Sequence, residues 1–511
     1  MAEDTSSANN RGIITVCVML ATIMQALDTT IANVALPYMQ GTLSATLDQV
    51  NWVLTSYIVA SAIMTPPTGW LADHFGRKRL FITSVIGFTI ASVLCGLAGS
   101  IEQMVVFRLL QGVFGASLVP LSQAVLFDIY PKERHGSAMA LWGVGVMVGP
   151  ILGPTLGGYL TDAFNWRWVF YINVPVGILT AMGLSSFMKE TKLQASSGFD
   201  WYGFTTLSVA IGCLQMMLDR GEQLDWFSSG EIIMEGVISM TALYLFIVHM
   251  LTAPRPFISL ALFRDRNFAT GLLFIFILGL LLLATMALIT PFVQNLMGFP
   301  VVTAGLVLSP RGLGTMAAMM AVGQLIGRVD PRWLISVGLG FTAWSLYAMS
   351  SYTADVSMQS LVWTGVIQGL GLGFIFVPLS TISFATLPPE LRTQGTALFS
   401  LIRNVGSSIG ISVVIFLLAR NTQINHAELS ESVNAFNPNL HLPKVAQLWD
   451  TASQGGRDLL NNEVTRQAST ISYANDFYLM TIITLAALPL VLILRRPQSR
   501  AKPAAAAAHM D

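Results

Sequence analysis

Apolar runs of membrane-spanning length alternate with short polar stretches along almost the whole chain. A helix needs roughly 20 mainly apolar residues to cross the hydrocarbon core of a bilayer. The runs lack the alternation of apolar and polar positions that is typical of membrane β-strands. We therefore predict an all-α polytopic membrane protein with fourteen transmembrane helices. The predicted spans are 12–36, 48–71, 79–99, 103–127, 136–160, 166–188, 199–218, 232–252, 268–291, 302–326, 332–351, 358–384, 395–419 and 474–494.

Composition supports this class of protein. Of the 511 residues 53% are hydrophobic and only 11% are charged, whereas soluble proteins usually carry about 25% charged residues. Soluble enzymes, secreted disulfide scaffolds and disordered proteins are therefore excluded. The formal net charge is zero, so no overall basic field points to nucleic acid. Cys17, Cys95 and Cys213 lie singly in apolar segments, which fits neither a disulfide framework nor a metal site.

The distribution of lysine and arginine predicts the orientation. Eighteen of the 27 basic residues fall on the side of the N-terminus, six fall on the other side, and Arg108, Arg311 and Arg403 fall within predicted spans. Cytoplasmic loops carry the excess of positive charge. An even number of helices then leaves both termini in the cytoplasm. The first apolar run lacks a small-residue cleavage site, which favours a retained span over a signal peptide.

An internal repeat relates two parts of the chain. Gln111-Gly112 and Pro120-Leu121-Ser122 are echoed by Gln368-Gly369 and Pro378-Leu379-Ser380 at offsets of 257 and 258. Six helices occupy only about 190 residues of this chain, so the offset leaves room for two inserted helices. Parallel repeats of this kind are typical of transporters whose two halves rock about a central site.

The repeat predicts how the chain is divided. The predicted units are an N-terminal six-helix bundle over 1–190, two inserted helices over 191–262, the first five helices of a C-terminal bundle over 263–419, a large periplasmic loop over 420–473, and the last helix with a cytoplasmic tail over 474–511. A long outer loop either contacts a partner or forms a solvated cap.

Two charged residues lie deep within predicted spans of the first half. Asp28 lies in the first span, where an ionisable residue is functional by default. Arg108 lies in the fourth span and stays protonated, so it needs a carboxylate or several carbonyl groups. Asp28 is the natural partner of Arg108 if the two helices touch. The alternatives are a structural hydrogen bond for Asp28 and an arginine that reaches the membrane surface.

The loop between the second and third spans carries a possible latch. Gly69 permits a close helix contact and Gly76 permits a tight turn. Asp73, Arg77 and Asp128 can then form a charge cluster that is made in one conformation and broken in the other. The alternative is plain positive-inside charge beside a turn.

The fifth predicted span, 136–160, is rich in glycine and proline. A four-residue spacing places four glycines on one face, against which a neighbouring backbone can pack closely and slide. Proline bends the helix, because it lacks a backbone donor. The alternative is packing without any bearing on transport. The residues of this motif are Gly145, Gly149, Pro150, Gly153, Pro154, Gly157 and Gly158.

Several polar side chains within the spans are candidates for a central substrate cavity, although structural pairing explains the arginines equally well. The candidates are Gln25, Asn33, Gln111, Gln123, Gln294, Arg311, Gln368, Arg403 and Asn404. The chain carries no phosphate-binding loop of the ATPase type, so an ion gradient is the expected energy source and no cofactor is expected.

These motifs resemble those of the fourteen-helix drug:proton antiporter family of the major facilitator superfamily. The resemblance rests on Leu27–Pro37, Gly69–Leu80, Gly149–Pro154 and Trp166–Pro175. Two further strings, Leu218–Gly221 with Asp225–Ser229 and Leu429–Asn434, resemble its EmrB-type exporters. The loop Gly323–Arg332 departs from the latch motif, so a matching latch in the second half is not expected.

The resemblance implies a proton-driven exporter of amphipathic toxic compounds in a bacterial inner membrane. It implies a periplasmic adaptor of the EmrA type at the outer loop and, indirectly, an outer-membrane channel of the TolC type. It also implies that Asp28 couples the proton, that Arg108 modulates it, and that Asp73, Arg77 and Asp128 form the latch. Two alternatives remain open: a metabolite transporter of the same fold, and a membrane receptor or scaffold that transports nothing.

Overall fold

A computed structural model describes residues 2–190, 198–434, 437–442, 445, 449 and 453–495. Within these residues the regular secondary structure is helical throughout, without any strand. The predicted tail beyond Arg495 and the start of the predicted insertion, 191–197, lie outside the described residues.

The first half of the chain forms a bundle around helix α1. Thr46 caps α2 with its side chain, and Ser100 caps α5 in the same way. The helices of this half are α1 (Ala2–Thr42), α2 (Leu47–Met64), α3 (Thr68–Phe75), α4 (Arg77–Leu97), α5 (Ile101–Gly115), α6 (Leu118–Ile129), α7 (His135–Ala163), α8 (Trp168–Tyr171) and α9 (Asn173–Phe187).

Two inserted helices and a second bundle follow. The inserted helices are α10 (Trp201–Arg220) and α11 (Gly230–Thr252). The helices of the second bundle are α12 (Ala261–Arg264), α13 (Arg266–Pro291), α14 (Val301–Leu308), α15 (Pro310–Leu325), α16 (Pro331–Met349), α17 (Met358–Ala385), α18 (Arg392–Glu431) and α19 (Gln454–Ala487). A π-helical turn, Phe292–Leu296, follows Pro291.

Among the described residues, twelve helical segments are long and apolar enough to cross a membrane. Helices α2 and α16 lie at the second and eleventh predicted spans but do not meet the same criteria of length and apolar character. Because a span can be completed by shorter or less apolar helices inside a bundle, the total of fourteen stays a prediction.

The outer segment is more helical than the sequence suggested. Helix α18 continues to Glu431 and α19 begins at Gln454, so both ends of the predicted loop 420–473 are helix. Asn425 Nδ2 donates a hydrogen bond to Ser472 Oγ at 2.9 Å, which joins the two extensions. The sequence predicts a polar loop with two stretches that could be short helices; its polar side chains give no membrane signal, but Glu, Gln and Arg are good helix formers.

One end of the molecule, which we term the basic end, holds Arg77, Arg134 and Arg392. Here the two bundles meet through aromatic packing: the ring of Phe127 on α6 lies 5.0 Å from that of Phe384 on α17. This contact belongs to an apolar core that includes residues of both bundles. The two bundles are thus packed together at the basic end.

Two glycines allow the backbones to approach each other there. A Cβ atom at Gly69 would lie 2.9 Å from the Cα atom of Gln394, across the junction. A Cβ atom at Gly323 would lie 2.7 Å from the Cβ atom of Ala140, and Ser137 Oγ donates to the Gly323 carbonyl at 3.0 Å. The two contacts involve corresponding parts of the two repeats, so the junction is close to symmetric.

Candidate functional site

The N-terminal bundle encloses an ion pair. Arg108 Nη1 donates to Asp28 Oδ2 at 2.7 Å, and the two residues are 0% and 2% exposed. Gln111 Nε2 donates to Asp28 Oδ1 at 2.8 Å. Because a buried polar group without a partner is costly, it matters that both oxygens of the Asp28 side chain accept hydrogen bonds from these donors.

Arg108 is held from several sides. Its Nε donates to the carbonyl of Val53 at 3.0 Å, and its guanidinium lies 4.4 Å from the ring centroid of Tyr57 on the same helix, α2. Its Nη1 also donates to Gln111 Oε1 at 2.7 Å. Its Nη2 has no hydrogen-bond partner among the described residues. The guanidinium therefore keeps one free donor beside the carboxylate.

Asn173 completes the site and was missed in the sequence. Its Nδ2 donates to Asp28 Oδ1 at 3.0 Å and to Ser92 Oγ at 2.9 Å. Asn173 is the first residue of α9, and it is fully buried. The available signal was a lone amide inside the apolar sixth span, within the string that carried the family resemblance.

The glycines of α7 place α1 against the bundle. A Cβ atom at Gly149 would lie 2.7 Å from the backbone of Ala26, and one at Gly153 would lie 2.1 Å from Thr30 Oγ1. Thr30 Oγ1 donates to the carbonyl of Gly149 at 3.1 Å. Asp28 lies between these two contacts on α1, so the glycine face fixes the depth of the carboxylate.

The other glycines of this motif differ in their surroundings. Gly145 and Gly157 face Met19 and Ile31 of α1. A Cβ atom at Gly158 would meet nothing within 4 Å, so Gly158 lies off this face. Pro150 lines the central cavity described below, and the side chain of Pro154 lies outside the described part of the structure.

A cavity of about 630 Å³ lies between the two bundles. Its wall is mixed in character: α1 contributes Gln25 and Asn33, α5 contributes Arg108, and α18 contributes Arg403 and Asn404. Asp28 does not line the cavity and lies behind Arg108. A polar and apolar wall of this kind suits an amphipathic ligand.

Five predicted cavity residues lie elsewhere. Gln111 is bonded to Asp28 as described, and Gln368 is buried in the second bundle. Gln123 and Arg311 are also buried, whereas Gln294 is partly exposed in the π-helical turn. The sequence places all five within spans, but it does not show which face of each helix meets the cavity.

An acidic residue of the insertion also lines the cavity. Asp219, near the end of α10, accepts a hydrogen bond from Thr55 on α2. On the other side of α10, Ser412 Oγ of α18 donates to the carbonyl of Leu218 at 2.7 Å. Helix α10 therefore bonds to both bundles. The predicted seventh span ends at 218, so Asp219 lies one residue beyond it.

The predicted latch residues gather at the basic end. Asp128 is paired with Arg77, and it also accepts from Arg392 Nη1 of the second bundle at 2.9 Å. Arg392 also donates to the carbonyl of Phe127 at 3.0 Å. Asp73 takes part in none of the ion pairs found among the described residues. Burial raises the pKa of its carboxyl, and the positive charge of Arg77 opposes that shift.

Gly76 has a backbone conformation that favours glycine, with φ +89°. A Cβ atom there would lie 2.5 Å from Glu190 Oε1. The Glu190 carboxylate accepts from the backbone N–H groups of Lys78 and Arg79 at 3.1 and 3.2 Å. Glu190 therefore caps the N-terminus of α4, where a negative charge is favourable.

Comparison with known proteins places the chain in a family. Residues 18–411 match the sequence model of the Major Facilitator Superfamily. The multidrug export protein EmrB of Escherichia coli (strain K12) is 38% identical over 491 residues, which cover 95% of each chain. The fatty acid resistance protein FarB of Neisseria gonorrhoeae is 35% identical over 487 residues, 95% of this chain and 96% of FarB.

Solved structures show the same fold. The human organic anion transporter MFSD10 (TETRAN) matches with a TM-score of 0.58 at 14% identity, covering 93% of this chain and 99% of that one. A bacterial homologue of the human lysosomal transporter Spinster, inward-facing and unoccupied, matches with a TM-score of 0.54 at 18% identity, covering 96% and 99%. This multi-pass membrane protein is thus a transporter and not an enzyme, and it belongs to the Major Facilitator Superfamily, in its EmrB-type group of multidrug exporters.

Proposed function

We propose that the protein is a proton-coupled antiporter that exports amphipathic and hydrophobic toxic compounds, with Asp28 as the proton-carrying residue. The observation that carries this proposal is the burial of the Asp28 carboxylate behind Arg108, at the wall of the cavity. A proton that binds Asp28 neutralises the carboxylate and weakens its hold on Arg108. The guanidinium can then turn its free donor toward the cavity.

Coupling follows from the competition between two occupants. Protonated Asp28 favours one arrangement of α1, α5 and α9, and charged Asp28 with its three donors favours the other. A substrate in the cavity that contacts Arg108 favours one of these arrangements. A ligand shifts an equilibrium only as far as it binds one state better than the other. In this proposal the proton and the substrate favour different states, so proton movement in one direction drives substrate movement in the other.

The predicted orientation indicates which side of the membrane is closed in this conformation. The basic end is predicted to face the cytoplasm, because basic residues concentrate there. The packed junction at Gly69 and Gly323 then closes the cytoplasmic side, and the cavity reaches toward Glu222 and Trp226 near the other end of α10. In this proposal the structure represents the outward-facing state, held closed by Asp128, Arg77 and Arg392.

The outer projection is the proposed docking site for a periplasmic adaptor of the EmrA type, which connects in turn to an outer-membrane channel of the TolC type. At 40 residues, α18 is about 60 Å long, well beyond the roughly 30 Å of a bilayer core. Ser412 and Ile415 of α18 line the cavity, and the helix continues beyond them to Glu431, where its extension pairs with that of α19. A bacterial inner membrane is the location that this assembly requires.

Transport in reconstituted vesicles tests the proposed activity. Purified protein in liposomes, with an imposed proton gradient, should move ethidium uphill against its own gradient, and a protonophore should abolish the movement. Ethidium movement that does not depend on the proton gradient would favour a facilitator. An absence of movement in a folded, correctly inserted protein would favour the metabolite transporter or the receptor.

The adaptor is tested separately. Replacing residues 425–470 by a short flexible linker should abolish co-purification with an EmrA-type adaptor, while gradient-driven ethidium movement in liposomes persists. The matched control replaces the short connection Leu224–Ser228 at the same end of the molecule, which should leave adaptor binding intact. Retained binding after the first replacement would contradict the proposed docking site.

A further inference from the structure

The charged residues in the wall of the central cavity are unevenly paired. Four of them line the wall: Arg108, Arg403, Asp219 and Glu222. Arg108 is paired with Asp28 behind it. Arg403, on α18, takes part in none of the ion pairs found among the described residues, and its side chain makes no hydrogen bond to any of them. A guanidinium within a membrane span is costly without a counter-charge, so it is functional by default.

The two carboxylates of the wall lie at another level of the cavity. Ser412 Oγ of α18 donates to the carbonyl of Leu218, so Asp219, the next residue of α10, lies at the level of Ser412. Glu222 follows beyond it, toward the outer end. Arg403 lies nine residues before Ser412 in α18, which is about 14 Å along the helix axis. The wall around Arg403 therefore carries a positive charge that no described residue neutralises.

Other hydrogen-bond donors of the wall are also free. Asn404, next to Arg403, lines the cavity, and its amide makes no hydrogen bond to a described residue. The backbone of this segment packs closely on α13, because a Cβ atom at Gly279 would lie 2.2 Å from the Arg403 carbonyl oxygen. Arg108, which is 0% exposed, keeps its Nη2 without a partner among the described residues. The wall thus offers donors for an acceptor group on a ligand.

Apolar side chains line the same cavity. Leu278 and Leu282 come from α13, the helix on which the Arg403 backbone packs. Trp142 of α7 and Phe376 of α17 add a pair of stacked rings, with centroids 5.8 Å apart and planes inclined by 18°. The cavity therefore combines one unneutralised positive charge with apolar and aromatic surface, which matches a ligand with a negative head group and an apolar body.

We propose that Arg403 is a specificity-determining residue of the cavity, where it binds the negatively charged head group of amphiphilic substrates. Its guanidinium donates charge-assisted hydrogen bonds to a head group such as a carboxylate, and the amide of Asn404 donates a further one. The apolar body of the substrate packs against the leucines and the aromatic rings. This inference rests on the proposed function in taking the cavity as the substrate site. Neutral and cationic compounds bind the rest of the wall without this contact.

Three probes with one aromatic body test the role of Arg403: pyrenebutyric acid, pyrenebutanol and pyrenebutylamine. Their binding to the full-length protein in lipid nanodiscs is measured by energy transfer from tryptophan to pyrene, after subtraction of the signal from empty nanodiscs. A mildly alkaline buffer keeps the acid ionised. We expect the acid to bind about tenfold or more tightly than the alcohol. No detectable binding of the acid, equal affinities for acid and alcohol, or tighter binding of the amine than of the acid overturns the proposal.

Arg403→Gln connects this preference to one residue. The variant should lower the affinity for the acid about tenfold or more and change the affinity for the alcohol by less than about twofold, because only the acid loses a charge-assisted hydrogen bond. The matched control is Arg255→Gln at an exposed position, which should keep the wild-type preference. An Arg403→Gln variant that still prefers the acid as the wild type does contradicts the proposal.

Asn404→Asp provides an independent test if Arg403→Gln proves too unstable to purify. The new carboxylate places a negative charge beside Arg403, so the affinity for the acid should fall about tenfold or more. Unchanged binding of the alcohol shows that the cavity of this variant is intact. An unchanged affinity for the acid overturns the proposal. None of these measurements involves transport or a proton gradient, so the proposed antiport and this role of Arg403 can fail separately.

Discussion

The carboxylate of Asp28 receives hydrogen bonds from two helices, from α5 through Arg108 and Gln111 and from α9 through Asn173. Each hydrogen bond to a charged group is worth about 1.5–3 kcal/mol. The Asp28 side chain is therefore held by the assembled bundle, and a motion that separates α9 or α5 from α1 breaks some of these hydrogen bonds. In our proposal this dependence links the charge of one residue to the arrangement of the helices.

Replacing Asn173 tests this link at the level of one side chain. Asn173→Ala removes one donor from Asp28 and should lower gradient-driven transport about tenfold, while ethidium exchange without a proton gradient stays close to the wild-type rate. The two initial rates, measured in the same vesicles, separate coupling from folding. Ser92→Ala removes the neighbouring contact of Asn173 and the hydrogen bond from Ser92 to the Phe170 carbonyl, but no donor to Asp28, and should have a smaller effect. Equal losses of both rates in Asn173→Ala would contradict a positioning role.

At this scale the sequence could predict which charged residues lie deep, because hydropathy marks them. It could not predict Asn173 or Asp219. An amide in an apolar span gives no sign of the direction in which it points, and Asp219 lies just beyond the predicted end of its span. Both residues are placed at the site by contacts between distant segments, and a single sequence does not record such contacts.

Among the elements, the pairing of α7 with α1 positions Asp28, the proposed proton-carrying residue. Gly149 and Gly153 meet the backbone and side chains of α1 at distances that leave no room for a Cβ atom. The four-residue spacing predicted a close helix contact, but the identity of the neighbour came only from the structure. Because α1 carries Asp28, our proposal requires that packing on this face and proton coupling are physically connected.

Substitution of two glycines on the same helix tests this connection. Gly149→Ala places a methyl group against the Ala26 backbone, which cannot move aside easily, so we expect a loss of about 1–3 kcal/mol of stability and a strong loss of transport. The side chain added by Gly158→Ala faces open space and should stabilise the protein by about 0.5–1 kcal/mol through helix propensity. Unfolding midpoints and ethidium transport report both effects. Equal unfolding midpoints and equal ethidium transport in the two variants would show that α7 can move away from α1 without loss of stability or transport.

The spans were the most predictable elements, since a run of about 20 apolar residues has few alternatives to a helix. The helical extensions into 420–431 and 454–473 were not predictable by the same signal. Their polar surfaces carry no hydropathy pattern, and they are stabilised by contacts with each other, such as that between Asn425 and Ser472.

For the whole molecule, the arrangement of the two bundles depends on the basic end. Asp128 joins Arg77 of its own bundle to Arg392 of the other. The sequence predicted Arg77 and Asp128 as latch partners, but not Arg392, because the latch motif of the second half is degenerate. The contact between the bundles uses a residue outside that motif, at the start of α18.

Asp128→Asn should therefore favour opening of the basic end. Spin labels at the exposed positions Glu133 and Glu390, in a variant without native cysteines, report the distance between the bundles. We expect a several-fold larger population of long distances, because one charge that holds two guanidinium groups is lost. Asp162→Asn at the opposite end, where Asp162 accepts from Tyr38 at 2.8 Å, should not change this distribution. An unchanged distribution in Asp128→Asn would contradict the proposed latch.

The role of Asp28 is tested most directly by a comparison of gradient-driven transport and exchange in Asp28→Asn. We predict that the variant retains ethidium exchange between vesicle interior and medium but no longer responds to a proton gradient. Asp28→Glu keeps a carboxylate and should retain part of the response, which shows that the loss in Asp28→Asn does not come from misfolding. Asp476 is a buried carboxyl of the second bundle, and Asp476→Asn should respond to the proton gradient as the wild type does. Wild-type gradient-driven transport in Asp28→Asn would contradict the proposal that this carboxylate carries the proton.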